Sequence, residues 1–312
     1  MPFKILISDK IEAVCSERLR AKGFETTEKS GLSAADLEAE IGQYHGLVVR
    51  SATSVTAEVL KRGAKGNLKI VGRAGAGLDN IDLKTAEALG IKVVNTPGLN
   101  ANAVAELTIG LMLVLSRRLW PAMESMKACR WEKKGLSGVE IRGKTIGLLG
   151  IGAVGRLVAR KALGLELKVL AHDPFLSPEA VKECGAEPVG FEEVFQLSDY
   201  VSLHMPKTPE TVNIVDGRIL GMMKKGSYLI NCARGGLVDE EALTKALKEG
   251  PLAGAASDVF SKEPPEPSPL FGLPNFVALP HMGASTEEAQ LAVAEKVADL
   301  VIEHLETQEG IA

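Results

Sequence analysis

The chain has 312 residues, 46% hydrophobic and 24% charged, with a formal net charge of −4. That length suits two domains with ordinary cores, and the balance excludes a disordered chain and gives no basic surplus for nucleic acid or an acidic membrane surface. The four cysteines (Cys15, Cys129, Cys184, Cys232) are widely spaced without a CxxC pair, and no secretory signal or stretch of transmembrane length is seen, so a reduced, cytoplasmic, metal-free protein is expected.

Short apolar or β-branched runs at 3–8, 24–28, 46–50, 69–72 and 92–95 alternate with segments of helical spacing such as 11–21 and 57–62. This predicts a parallel sheet with helices on its faces. Two strand ends are polar and glycine-rich, RSAT at 50–53 and GRAGAGLDN at 72–80. Ligands bind beyond the carboxyl ends of such strands, although an ordinary βα loop would read the same. Asn95-Thr96-Pro97-Gly98 signals a turn into a second domain, with Asn100 or Asn102 as the cap of a helix over 104–119. That helix is apolar nearly all round, which suits burial at a domain or subunit interface or in a core. Trp120 and Trp131 flank it as candidate interface anchors.

A second series of six strands is expected near 145–149, 168–172, 199–203, 227–231, 252–256 and 276–279, the number of a dinucleotide-binding domain. Its first strand runs directly into Gly150-Ile151-Gly152-Ala153-Val154-Gly155 and a helix. The first glycine permits a sharp turn, the second a close backbone approach to a pyrophosphate, and the third tight packing of helix on sheet. The helix start then offers free N–H groups to the phosphates. Asp173, at the end of the next strand, is placed to accept hydrogen bonds from an adenosine ribose, and the following Pro174, Phe175 and Leu176 include no arginine for a 2′-phosphate. NAD is therefore favoured over NADP. A last helix over 286–305, with Glu287 and Glu288 in its first turn, is expected to return to the first domain and make it discontinuous.

Three later strand ends carry charge: Asn231-Cys232-Ala233-Arg234, then Asp258 with Glu263, then Pro280-His281. An arginine can hold a carboxylate and polarise a C2 oxygen; a histidine can exchange a hydroxyl proton; a carboxylate can orient that histidine. Singly, each has a structural alternative: Arg234 paired with Asp239, Asp258 a loop acid, Glu263 solvated, His281 a satisfied turn histidine. Their joint placement after successive strands favours hydride transfer at a hydroxy acid.

With these residues in place, the chain resembles the D-isomer-specific 2-hydroxy-acid dehydrogenases, and within them the phosphoglycerate-oxidising branch. The resemblance is carried by VVRSAT at 48–53, VGRAGAGLDNID at 71–82, NTPG at 95–98, GLLGIGAVGR at 147–156, NCARGGLVDEEAL at 231–243, SDVFSKEPP at 257–265 and PHMGAST at 280–286. It implies an α/β fold of two doubly wound parallel-sheet domains, a Rossmann cofactor domain (99–284) inserted in a flavodoxin-like substrate domain (1–98 and 285–312).

Arg234, Glu263 and His281 are the catalytic set that the resemblance implies. On the NAD side it implies Gly150, Gly152, Gly155 and Asp173, backbone from Ala153 and Val154, the segments His204-Met205-Pro206 and Cys232-Ala233-Arg234, Asp258 at the nicotinamide amide, and His281, Gly283, Ala284 and Ala76 alongside. Arg50, Ser51, Arg73, Gly75, Gly77 and Asn100 match substrate-side positions, with Arg50 for a substrate phosphate and Lys133 or Lys134 reaching a partner subunit's substrate. A phosphorylated hydroxy acid as substrate and a homodimer through the cofactor domains follow from the same likeness. Ala76 and Met205 stand where relatives of this branch often have threonine, and with the sequence ending shortly after Leu305 regulation by serine through a C-terminal domain is not expected. Other D-2-hydroxy-acid reductases are the alternative within enzymes. Corepressor relatives with the same fold and the same three residue types are the alternative of another class, although the disordered tails and peptide-docking extension of that class are not seen here.

Overall fold

The computed structural model describes residues 2–308, and the chain divides into two compact units, Met1–Asn100 with Ser285–Ala312, and Ala101–Ala284. The first unit holds β1 (Lys4–Ile7), β2 (Glu25–Glu28), β3 (Gly46–Val49), β4 (Ile70–Arg73) and β5 (Lys92–Asn95), all parallel in the order β2-β1-β3-β4-β5. Successive side chains of a strand point to opposite faces. Accordingly Ile5 and Ile7 pack with Val293, Val297 and Val301 of the helix Glu287–Gln308, while Leu6 packs on the other face with Leu37, Val59 and Leu60. Gly72 has a packing reason: a Cβ there would stand 2.8 Å from Val297, so the last helix lies close against β4 because that strand has no side chain at this point.

The second unit holds β6 (Thr145–Leu149), β7 (Lys168–His172), β8 (Glu187–Pro188), β9 (Tyr200–Leu203), β10 (Ser227–Asn231), β11 (Leu252–Ser257) and β12 (Phe276–Ala278). They form one parallel sheet in the order β12-β11-β10-β9-β6-β7-β8. The expected six strands become seven, because β8 has only two residues and so no periodicity to read. After β6 the chain builds outward through β7 and β8, then returns to the other side of β6 with β9. Such a reversal opens a crevice at the carboxyl ends of β6 and β9, where doubly wound sheets take their ligands. One face is covered by the helices Ala101–Ser116 and Ala153–Gly164, through Met112, Val158 and Ala162 on Ile146, Leu148 and Tyr200.

The expected helix over 104–119 is corrected in two ways. It begins at Ala101, so Asn102 lies inside it, bonded to Glu106 at 2.9 Å, and is not its cap. It stops at Ser116, Arg118 takes a left-handed φ of 50°, and a second helix runs Leu119–Lys127. Pro121 supplies the reason. Within a continuous helix its missing N–H would leave a carbonyl unpaired, whereas in the first turn of a new helix no such bond is needed.

Candidate active site

The glycine turn follows β6. Gly150 has φ 96°, and a Cβ there would lie 2.5 Å from the carbonyl oxygen of His204, just beyond β9. A Cβ on Gly155 would lie 2.2 Å from the carbonyl oxygen of Gly150. Both glycines are therefore demanded by close backbone packing. Gly152 differs, since nothing stands within 4 Å of its absent side chain. It is also the N-cap of Ala153–Gly164 and caps it with no side chain, whereas Ser33, Thr56, Asp82, Ser177, Asp216 and Asp239 cap their own helices. The first-turn N–H groups at Ala153 and Val154 are thus left uncapped beside open space, at the positive end of the helix dipole, a ready cradle for an anion.

Asp173 binds this turn to the end of β7. Its Oδ2 accepts the N–H of Ile151 at 2.8 Å and its Oδ1 the N–H of Phe175 at 3.0 Å. Each oxygen keeps a lone pair for a hydroxyl group. An uncapped helix start, open space over Gly152 and a fixed acid at the neighbouring strand end fit a dinucleotide such as NAD.

On the other side of β6, the N–H of His204 donates to the carbonyl of Leu149 at 2.7 Å, which seats Met205 and Pro206 beside the turn. The Nε2 of His204 is sealed from solvent with no partner among the described residues, and burial pushes its pKa down to about 4, so the ring is neutral. Burial pushes the Cys232 thiol up to about 12, which keeps it protonated and removes it as a nucleophile.

The charged residues gather at the ends of β10, β11 and β12. Asn231 shapes the first loop: its Oδ1 accepts the N–H of Ala233 at 3.1 Å and its Nδ2 donates to the carbonyl of Arg234 at 2.9 Å. Arg234 itself donates from Nη1 to the carbonyl of Ala233 at 2.7 Å. Asp239 accepts N–H groups of Glu241 and Ala242 as a helix cap, a local use for that acid. At Gly235 a Cβ would fall 1.7 Å from the carbonyl oxygen of Phe260, so the arginine loop touches the loop after β11 backbone to backbone. That second loop carries Glu263, whose Oε1 accepts the N–H of Phe260 at 3.0 Å and whose Oε2 lies 2.6 Å from Nδ1 of His281.

His281 sits at φ 53°, an uncommon conformation for a residue with a side chain, and Asp258 supports the turn. Its carboxylate, 1% exposed, accepts the N–H groups of Met282 at 2.8 Å and Gly283 at 2.7 Å. Burial raises the pKa of Asp258; the two N–H bonds and nearby His281 oppose the rise, while Glu263 adds to it. The second sheet therefore brings Arg234, Asp258, Glu263, His281 and Gly283 together, with Ala284 next in the chain.

The substrate-side candidates lie in the first unit, beyond the adjacent strands β3, β4 and β5. Arg50 and Ser51 follow β3; Arg73 ends β4; Gly75, Ala76 and Gly77 come next, with the carbonyl of Ala76 accepting from Asn95 at 2.7 Å. A Cβ on Gly75, whose φ is 145°, would run into the guanidinium of Arg73. Asn100 ends this stretch of the unit. Lys133 lies in the second unit, its Nζ 5.7 Å from the ring centre of Trp131. Three residues hold these loops by side-chain hydrogen bonds without being marked for that role by the sequence: Asp9 accepts the N–H of Arg50, Asn80 donates to the carbonyl of Arg50, and Asn231 donates to the carbonyl of Arg234. Asn80 and Asn231 at least fall within the quoted motifs, and a polar residue at a strand end was the only signal for Asp9. Among the described residues no cluster of three or more His, Cys, Asp or Glu is placed to hold a metal ion, and no helix is long and apolar enough to cross a membrane.

Residues 109–283 match the model of the D-isomer specific 2-hydroxyacid dehydrogenase NAD binding domain. D-3-phosphoglycerate dehydrogenase of Pongo abelii is 44% identical over 295 residues, 95% of this chain and 55% of that protein. The chain thus spans about half the length of the curated relatives it matches. Among solved structures, the TT0316 protein from Thermus thermophilus superimposes with a TM-score of 0.90 at 34% identity, covering 97% of both chains. D-lactate dehydrogenase from Aquifex aeolicus, solved with NAD and lactic acid, gives 0.86 at 26% identity over 97% of this chain and 96% of that one.

Proposed function

Because the chain belongs to the D-isomer specific 2-hydroxyacid dehydrogenase family, we propose that it oxidises D-3-phosphoglycerate to 3-phosphohydroxypyruvate. Bound NAD would supply the acceptor for the C2 hydrogen and its electron pair. The uncapped helix start at Ala153 and Val154 would hold the pyrophosphate and Asp173 the adenosine ribose. Arg234 holds the substrate carboxylate and polarises the C2 oxygen through its planar donors. His281 takes the C2 hydroxyl proton on Nε2, since Nδ1 is engaged by Glu263, and Glu263 fixes the ring and stabilises the imidazolium that forms. Arg50, with Ser51, Gly77 and Asn100, holds the phosphorylated end.

The observation that carries this reading is the contact between His281 and Glu263, on a loop that Gly235 brings against the Arg234 loop. The phosphate assignment is supported by the VVRSAT segment and by the names of the curated relatives. Exposed Trp120, Met123, Met126 and Trp131 support a homodimer formed by the second units, with Lys133 offered to the partner. Initial rates with a panel of D-2-hydroxy acids and their keto acids, phosphorylated and not, test the proposal. It expects the highest kcat/KM for D-3-phosphoglycerate, and a preference for glycerate or lactate would overturn the substrate assignment.

A further inference from the structure

Just beyond β1 the chain passes through Ser8, fully buried, and Asp9, 6% exposed, beside the end of the neighbouring strand β3. A buried carboxylate is costly unless hydrogen bonds compensate it. Among the described residues, every hydrogen bond to this one comes from a single loop. Oδ2 accepts the N–H of Arg50 at 2.5 Å and of Thr53 at 3.2 Å, and Oδ1 accepts the Thr53 hydroxyl at 2.7 Å. The carbonyls of the same two residues are held separately, both by Nδ2 of Asn80, at 2.7 and 2.6 Å. The loop 50–53 is thus clamped at its first and last residues through both backbone polar groups. Ser51 and Ala52 between them are exposed, and among the described residues their N–H groups have no acceptor in the chain.

We propose that Asp9 is a positioning residue for the substrate, holding the loop so that the N–H groups of Ser51 and Ala52 and the Arg50 side chain present one surface to an anionic end. The inference rests on the reading of Arg50 and Ser51 as substrate-side residues. Turning the end groups inward leaves only the middle groups to face outward, and every backbone donor must find a partner in the chain, in water or in a ligand. Arg50 also donates from Nη1 to the carbonyl of Lys10 at 3.3 Å, so the strand end that carries Asp9 restrains the guanidinium as well. Asp9 touches no substrate in this scheme and acts through the loop alone.

The test compares Asp9→Ala and Asp9→Asn with wild type in the full chain, reading KM for D-3-phosphoglycerate, kcat and NADH affinity by fluorescence titration. Asp9→Ala removes every acceptor and should raise KM by about tenfold or more, with kcat within about threefold and NADH affinity unchanged. Asp9→Asn should bring KM back to within about threefold of wild type, because the amide oxygen can accept both N–H groups and the Thr53 hydroxyl can turn to accept from the amide. An unchanged KM in folded Asp9→Ala overturns the proposal. So does a joint loss of kcat, NADH affinity and melting temperature that Asn does not rescue, which would make Asp9 a residue of the fold only. Where Asp9→Ala does not fold, Thr53→Val, which removes the bond to Oδ1, should still raise KM with kcat preserved, and an unchanged KM there overturns the proposal equally. Failure of the functional reading looks different: wild type itself would not turn over D-3-phosphoglycerate, and the inference would fall with it.

Discussion

Nδ1 of His281 lies 2.6 Å from Oε2 of Glu263, which leaves Nε2 as the ring nitrogen that can meet a substrate hydroxyl. The imidazole must be neutral to accept a proton and protonated to give one. His281→Ala should lower kcat on the order of 10²–10⁴-fold with NADH binding nearly intact. Glu263→Gln should lower kcat by at least about tenfold, since the ring loses the carboxylate that orients it and stabilises its charged form. Near-wild-type turnover by His281→Ala, with hydride transfer shown by an isotope effect to limit the rate, would return His281 to a turn residue.

Gly235 and Gly152 make a contrasting pair. A Cβ on Gly235 would fall 1.7 Å from a backbone oxygen, and one on Gly152 would meet nothing within 4 Å. Gly235→Ala must push two loops apart, so it should cost about 1–3 kcal/mol of stability and displace Arg234, lowering kcat/KM. Gly152→Ala should cost about 1 kcal/mol at most in the ligand-free protein, because only the N-cap preference is lost. Its methyl would occupy the space over the turn, so NADH affinity should fall instead. Urea unfolding and NADH titration of the two variants separate the effects, and equal stability losses would contradict the assignment of Gly152 to the ligand.

The same pair indicates what a sequence carries. Strands of four or five apolar residues, the glycine turn and Asp173 were legible because period, spacing and residue type are local. The three charged strand ends were legible as a group, since each directly follows an apolar run. Nothing local marks Asp9 as the partner of Thr53, 44 positions away, because a side chain bonded to a distant backbone leaves no periodicity. Adjacent Gly235 and Gly236 read alike in sequence, yet the first is required by the carbonyl of Phe260 and the second has φ 79°. The helix break at Arg118 was hidden because apolar Leu119 and Trp120 resume directly after Ser116, Arg117 and Arg118, and Pro121, its physical cause, stands three residues further on.

His204 should leave a signature in the pH dependence of stability. Burial lowers its pKa from the ordinary histidine value of 6.5 to about 4. Between those values the unfolded chain binds more protons than the folded one, so stability rises with pH across that window. The contribution is fully present above about pH 6.5 and is lost as pH falls toward about 4. Its size is on the order of 1–3 kcal/mol. Melting temperatures of wild type and His204→Gln from pH 4 to 7 should converge at the acid end, where the neutral side chain of the variant needs no proton released. A parallel offset at every pH would mean that His204 does not titrate in this window.

We propose that Asp173 decides the choice of cofactor. Both its oxygens are already fixed by backbone N–H groups of Ile151 and Phe175, so its negative charge is held beside the glycine turn and cannot swing away. A 2′-phosphate brought to that place meets a carboxylate, and the residues that follow, Pro174, Phe175 and Leu176, offer no cation. Wild type should therefore prefer NAD over NADP by at least about tenfold in kcat/KM, roughly 1.4 kcal/mol. Asp173→Ala removes the repulsion and the ribose acceptor together, and it also unties the turn from β7. Affinity for NADH should fall more than affinity for NADPH, and the preference should narrow. Fluorescence titration with both reduced cofactors measures this directly, and equal use of the two by wild type would rule out the ribose assignment.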